Sequence, residues 1–243
     1  MFHGPLKVGL SLLLGSLILA ETGLAVAQQY VPPRRGSPGR REGAGTRGSC
    51  IQGTKNLVAL MPVDGFAMAA TVQPILFWYV PQTQARTAEF TLLDSNQNPL
   101  YSATVPLVSK TPGIIALQLP ESLTVEQLGV GKEYVWQFSI ICSPDQPSQN
   151  PFVEGVFQRI QPDAELTRRL QQASPQSRSS IYAAAGIWHD AIGTLAKQRC
   201  AQPNQAALRT SWSNLLQSVK LGNYANESLS AACAVISPVP PGP

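Results

Sequence analysis

Between residues 57 and 160 the apolar positions recur with the short period of strands. Leu57 to Leu60 is a brief apolar run stopped by Pro62. Thr71 to Val80 contains ILFWYV, apolar at consecutive positions, as a strand covered on both faces requires. Ala88 to Leu93 and Leu100 to Val108 flank Asp94-Ser95-Asn96-Gln97-Asn98-Pro99, a segment made of the residues that close hairpins. Gly113 to Leu119 ends at Pro120. In Glu133 to Cys142 the residues Tyr134, Trp136, Phe138, Ile140 and Cys142 alternate onto one face, and Phe152 to Ile160 is the last strand. About seven short strands separated by turn signals predict a β-sandwich.

After Pro162 the period lengthens to that of helices. Asp163 to Gln172 carries Leu166 and Leu170 on one face. Ser174-Pro175 predicts the next start, with Pro at the first helical position, and Ile181, Ala184, Ala185, Trp188, Ile192 and Leu195 then form one stripe. Asn204 is the expected N-cap of a third helix with the stripe Leu208, Trp212, Leu215, Leu216 and Val219, and Gly222 marks its end. Two amphipathic helices of this length pack as a hairpin over an apolar surface. One local pattern sharpens the sandwich: Leu128, Gly131, Tyr134 and Trp136 are spaced like the tyrosine corner of immunoglobulin-like and fibronectin-type domains. Tyr134 is therefore read as structural, not catalytic. The predicted class is α+β, an immunoglobulin-like β-sandwich over residues 50–161 followed by a C-terminal α-helical hairpin within 162–222, with a tail over 223–243.

The N-terminus is of a different kind. Lys7 precedes the apolar run Val8 to Ala20, and Ala25-Val26-Ala27 is a small-residue cleavage site, so residues 1–27 read as a secretory signal. The run is shorter than the roughly 20 apolar residues of a membrane span. The expected product is secreted or periplasmic, with no transmembrane segment after cleavage near Ala27. Residues 28–49 are rich in Pro, Gly and Arg and read as a disordered leader. The formal charge of +4 resides there: Arg34, Arg35, Arg40, Arg41 and Arg47 face Glu42 alone, while from Cys50 onward basic and acidic residues balance. These five arginines are candidate contacts to an anionic envelope polymer or surface. The neutral remainder argues against nucleic acid, whose binding needs a basic stripe on a folded surface. Of the 243 residues 44% are apolar and 13% charged, too apolar for a disordered chain and too lightly charged for a coiled coil.

All four cysteines, Cys50, Cys142, Cys200 and Cys233, survive cleavage, and an even count in an oxidising compartment predicts disulfides. Three connectivities are open. The pairing Cys50–Cys142 with Cys200–Cys233 is favoured because each pair stays within one structural half. The spacings fit no zinc ribbon or redox motif.

Signals for catalysis are sparse. His189 is the one histidine of the mature chain, and Asp190 beside it does not face it on a helix. Glu89, Glu133 and Glu154 lie in or beside strands, where a carboxylate pair would serve a hydrolase. No phosphate loop, nucleophile elbow or zinc-protease motif is present, and nothing calls for a cofactor or metal. Phe77-Trp78-Tyr79 and Tyr134/Trp136/Phe138 read as core by alternation, with a carbohydrate-stacking platform as the other reading.

Several segments together resemble a cyanobacterial family of secreted proteins catalogued as domain of unknown function nine hundred and twenty-eight. They are GTRGSC at the end of the leader, PILFWYV, GKEYVWQFSIIC, FVEGVFQRI, IYAAAGIWHDAIGTLA and SWSNLLQSV. The resemblance spans nearly the whole mature chain. It implies secretion and this architecture, and it assigns no activity and no site residue. The function expected is a non-enzymatic envelope protein that binds a protein or a cell-wall polymer, with an extracytoplasmic hydrolase using a carboxylate pair as the alternative. The mature chain is expected to begin at Gln28; N-terminal sequencing that finds residues 1–27 retained would contradict export by cleavage.

Overall fold

The computed structural model describes residues 1, 29–33, 40–42, 50–107, 112–124 and 126–234. The expected signal peptide, Arg34, Arg35 and Arg47 of the leader, and the tail from residue 235 lie outside the described residues. Ten strands come first: β1 (Ile51–Gln52), β2 (Val58–Ala59), β3 (Phe66–Ala69), β4 (Ile75–Val80), β5 (Gln82–Thr83), β6 (Thr87–Asp94), β7 (Pro99–Pro106), β8 (Gly113–Gln118), β9 (Glu133–Ile140) and β10 (Phe152–Arg159). Five helices follow: α1 (Ala164–Gln172), α2 (Pro175–Ala184), α3 (Trp188–Ala201), α4 (Ala206–Ser218) and α5 (Ser230–Cys233). The content is thus mixed α+β, with the helices C-terminal.

The strands form a five-stranded sheet in the order β3-β10-β9-β6-β7, a three-stranded sheet β2-β4-β8 and a two-stranded ribbon β1-β5. All pairings are antiparallel except β3 with β10. The two larger sheets face one another. Trp78 of β4 stacks on Phe138 of β9 at 4.4 Å and meets Trp136 and Phe90 edge-on at 5.6 and 6.0 Å. Every residue of β4 is buried, because its other face is covered too. Phe77 meets Trp212 of α4 at 6.4 Å, and Tyr79 meets Tyr224 at 4.9 Å. The helices therefore form a third layer. At the start of β9 the Tyr134 hydroxyl donates to the Gln127 carbonyl at 2.8 Å, closing the turn that the tyrosine spacing predicted.

Three strands were not legible in the pattern: β1, β3 and β5 are too short, or too uniformly apolar, to show alternation. The strand expected from Thr71 begins only at Ile75, because the Asp190 carboxylate takes the backbone N–H groups of Ala70 and Thr71 and Pro74 has none to give. The helix expected to run from Pro175 through Leu195 is two helices. Gly186 sits at φ 74°, and the N–H groups of Gly186 and Ile187 return to the carbonyls of Ala183 and Tyr182, a Schellman turn that ends α2. The C-terminal part is thus a series of successive helices, with α3 touching α2, α4 and α5.

The leader also departs from its composition, since at its described residues it is packed. Tyr30 is 4% exposed, lies edge-on to Trp188 at 5.1 Å and donates its N–H to Ser218 Oγ. The Val31 N–H reaches the Ala183 carbonyl at 3.0 Å. The Arg40 carbonyl accepts from Glu154 N in the five-stranded sheet, and the Arg41 carbonyl accepts from Ala59 N in the three-stranded one, both at 2.9 Å. Glu42 bridges Val58. The Arg41 side chain is buried and donates to the carbonyls of Val219 (2.7 Å) and Met61 (3.4 Å). Val219 caps the C-terminus of α4, where a cation meets the negative end of the helix dipole. Arg41→Ala should therefore destabilise the protein by about 2–4 kcal/mol, since it leaves buried carbonyls without a donor. A chain beginning at Cys50 also loses Tyr30 and should melt roughly 10 °C lower. Thermal unfolding followed by circular dichroism measures both, and an unchanged melting temperature would refute the packed leader.

Candidate functional site

The outer face of the five-stranded sheet collects polar side chains that the alternation of each strand turns away from the core. Strand register aligns them in two rows across four strands, each about 14 Å long. One row is Thr104, Glu89, Ser139 and Phe152; the next is Ser102, Thr91, Gln137 and Glu154. Ser102 Oγ donates to Thr91 Oγ1 at 3.3 Å, and Gln137 Nε2 to Glu154 Oε2 at 3.4 Å. At the end of the first row the Arg40 guanidinium lies 4.9 Å from the centre of the Phe152 ring.

This face ends at β7, which pairs with β6 on one side; among the described residues no strand pairs with its other edge. The edge strands β2, β8 and β3 each have a neighbour. Glu42 lies on β2, the Ser228 carbonyl accepts from Ile114 of β8 at 2.7 Å, and α3 packs on β3. Leu107 N–H donates to the Arg86 carbonyl, so by alternation the backbone groups of Ser102 and Thr104 point outward from the sheet edge. The strand carries no charge and is bracketed by Pro99 and Pro106.

The cysteines pair within each structural half, Cys50 with Cys142 and Cys200 with Cys233, each with Cα atoms 5.4 Å apart. Of the five leader arginines, Arg40 and Arg41 are described, and they differ. Arg40 is exposed above Phe152, whereas Arg41 is turned inward to the α4 terminus and is not placed to meet a surface. Glu89, Glu133 and Glu154 share the outer face, but β9 lies between Glu89 and Glu154 with a two-residue offset, about 12 Å at the backbone. A second pair, Asp163 and Glu165, lines a cleft of about 400 Å³ beside α1. Asp163 there caps the helix through the Leu166 N–H, and Glu165 pairs with Arg168. The two aromatic clusters are core, with Trp78, Tyr134, Trp136 and Phe138 all buried. Among the described residues no group of three or more His, Cys, Asp or Glu could hold a metal, and no helix is long and apolar enough to cross a membrane.

What the sequence reading missed is the shared face itself. Alternation within each strand shows which residues point outward, but only register across strands shows that Glu89, Ser139 and Phe152 are neighbours.

His189 and Asp190 point to different neighbours, as adjacent helical residues do. His189 is buried edge-on to Phe157 at 5.9 Å, and burial pushes its pKa down to about 4 against a hydrogen bond with the Ile75 backbone. Asp190 is pushed up to about 6 by burial, against its hydrogen bonds with Ala70 and Thr71 and the charge of Lys197. The two act oppositely on stability. As pH falls from 6.5 to about 4 the unfolded chain protonates at His189 and the folded one does not, so stability is lost. As pH falls from about 6 to 3.8 the folded chain holds a proton at Asp190 that the unfolded one lacks, so stability is gained. Denaturant unfolding across this range should show His189→Gln gaining on the wild type as pH falls, by about 1.4 kcal/mol per pH unit, and Asp190→Asn losing at a similar slope. Parallel pH profiles for all three proteins would remove the opposed pair.

No curated protein and no solved structure matches the chain. Its outward polar face and inward aromatic core lie within residues 42–229, which match the family model described as Domain of Unknown Function (DUF928), and the chain belongs to that family.

Proposed function

We propose that this is an exported, non-enzymatic envelope protein that binds a protein partner along the open edge of β7. The observation that carries the reading is that edge: an uncharged strand with outward backbone donors and acceptors, next to a polar sheet face, whereas the edge strands β2, β3 and β8 of the two larger sheets have neighbours. An extended segment added there would gain backbone hydrogen bonds for affinity and side-chain contacts on the rows for selectivity. The signal-like N-terminus and the two disulfides support export to an oxidising compartment. The order β2-β4-β8 against β10-β9-β6-β7, with β3 parallel to β10 and the Tyr134 corner, supports an immunoglobulin-like sandwich.

A second reading rests on the rows themselves. Evenly spaced hydroxyl, carboxylate and amide groups beside Phe152 suit a hydrated cell-wall polymer. An anionic polymer would draw further on Arg34, Arg35 and Arg47. The edge reading is tested by Thr104→Pro, which removes an outward N–H while leaving the β6–β7 ladder intact. Partner capture from native envelope should fall to background, with the melting temperature within a few degrees of the wild type. Capture that survives Thr104→Pro but is lost in Phe152→Ala would move the function to the polymer-binding face; capture unaffected by either would reject both.

A further inference from the structure

The outer side of β4 is covered unevenly. Phe77 and Tyr79 meet the large rings of Trp212 and Tyr224, but the Ile75 end faces Gly193 and Ala196 of α3. Small residues one turn apart leave a cleft of about 240 Å³ between α3, β4 and the Cys200–Cys233 disulfide. Its walls are apolar except for Lys197, the one charged residue lining it.

Two features are not explained by packing. Gly193 lies inside α3, where glycine costs about 1 kcal/mol relative to alanine. Yet a Cβ there would stand 3.7 Å from Ile75 Cδ1, an ordinary contact, so no neighbour demands glycine. The missing side chain keeps the cleft open. Lys197 follows one turn later on the same face. It is exposed, and among the described residues no ion pair engages it. The carboxylate whose pKa senses it, Asp190, is held by the backbone of Ala70 and Thr71.

We propose that this cleft binds a small amphipathic anion, with its apolar body against Ile75 and Phe77 and its acid group at Lys197. One cation at the rim of an otherwise apolar hollow complements that chemistry, and the volume of about 240 Å³ admits roughly eight heavy atoms at about 30 Å³ each, room for a chain of about seven carbons with the carboxylate outside at the rim. A medium-chain carboxylate meets both requirements. The site lies on the helical side of the sandwich, away from β7, and does not depend on the edge-binding role.

The test is isothermal titration of the mature full-length protein with octanoate. Saturable one-to-one binding is expected. Lys197→Ala should weaken it by about tenfold or more, the range of a charged hydrogen bond, while Lys197→Arg retains it. 1-Octanol, with the same body and no charge, should bind correspondingly more weakly. Gly193→Leu should abolish binding by filling the cleft. Gly193→Ala, which favours the helix, should weaken binding while the melting temperature holds or rises, separating occlusion from misfolding. Absence of saturable octanoate binding overturns the proposal, as does affinity unchanged in both Lys197→Ala and Gly193→Ala. Binding that appears only after residues 235–243 are removed would assign the cleft to the chain's own C-terminal segment and overturn it equally.

Discussion

The fold depends on one strand having no exposed face. Six consecutive buried residues in β4 must be covered twice, once by a sheet and once by something else. Trp78 meets the first demand by packing against Phe90, Trp136 and Phe138, and Phe77 and Tyr79 meet the second through Trp212 and Tyr224. The helices are thus not an appendage. Without them the outer side of β4 would expose a row of large apolar side chains. The same demand explains why α3 and α4 put Trp188 and Trp212 inward, and why Trp188 Nε1–H finds the Leu60 carbonyl at 2.8 Å.

Fastening is concentrated where the layers end. The Cys50–Cys142 bond ties the β1–β5 ribbon to the end of β9, and the Cys200–Cys233 bond ties the end of α3 to α5. They close loops of 92 and 33 residues, long enough for either to restrict the unfolded chain appreciably. Lys55 adds a third fastening. Its ammonium lies over the rings of Tyr79 and Tyr224 and pairs with Glu227, pinning the segment after α4 to β4. Burial and the nearby Glu227 raise Tyr79 to about 12, so its hydroxyl stays neutral beside that carboxylate.

Much of this was legible in the chain because local pattern and tertiary role agree. ILFWYV could only be a strand covered on both sides, the alternation of β9 named its core residues, and Tyr134 announced its own turn. The failures have distinct causes. Gly186 is hidden inside a convincing helical stripe, because what singles it out is a left-handed φ and the close passage of the Val31 carbonyl, which leaves no room for a Cβ. The packing of Tyr30 and Arg41 is not legible in the leader's composition, because composition describes an average, whereas one arginine with two waiting carbonyls is a specific bond. The candidate binding face was invisible because it exists only in the register between strands. The Gly193 cleft was equally hidden, since a small residue in a helix does not say what lies across from it.

The bonds of Tyr30 and Arg41 span 188 and 178 residues. The first part of the leader to be made, or to emerge from any pore, has its partners near the far end of the chain. Neither the Tyr30 bond to Ser218 nor the Arg41 cap on α4 can form until α4 has been made. Contacts of this reach slow folding, because loop closure comes before any gain from packing. Structure at Tyr30 and Arg41 is thereby deferred: these two contacts lock only when α4, far along the chain, is in place.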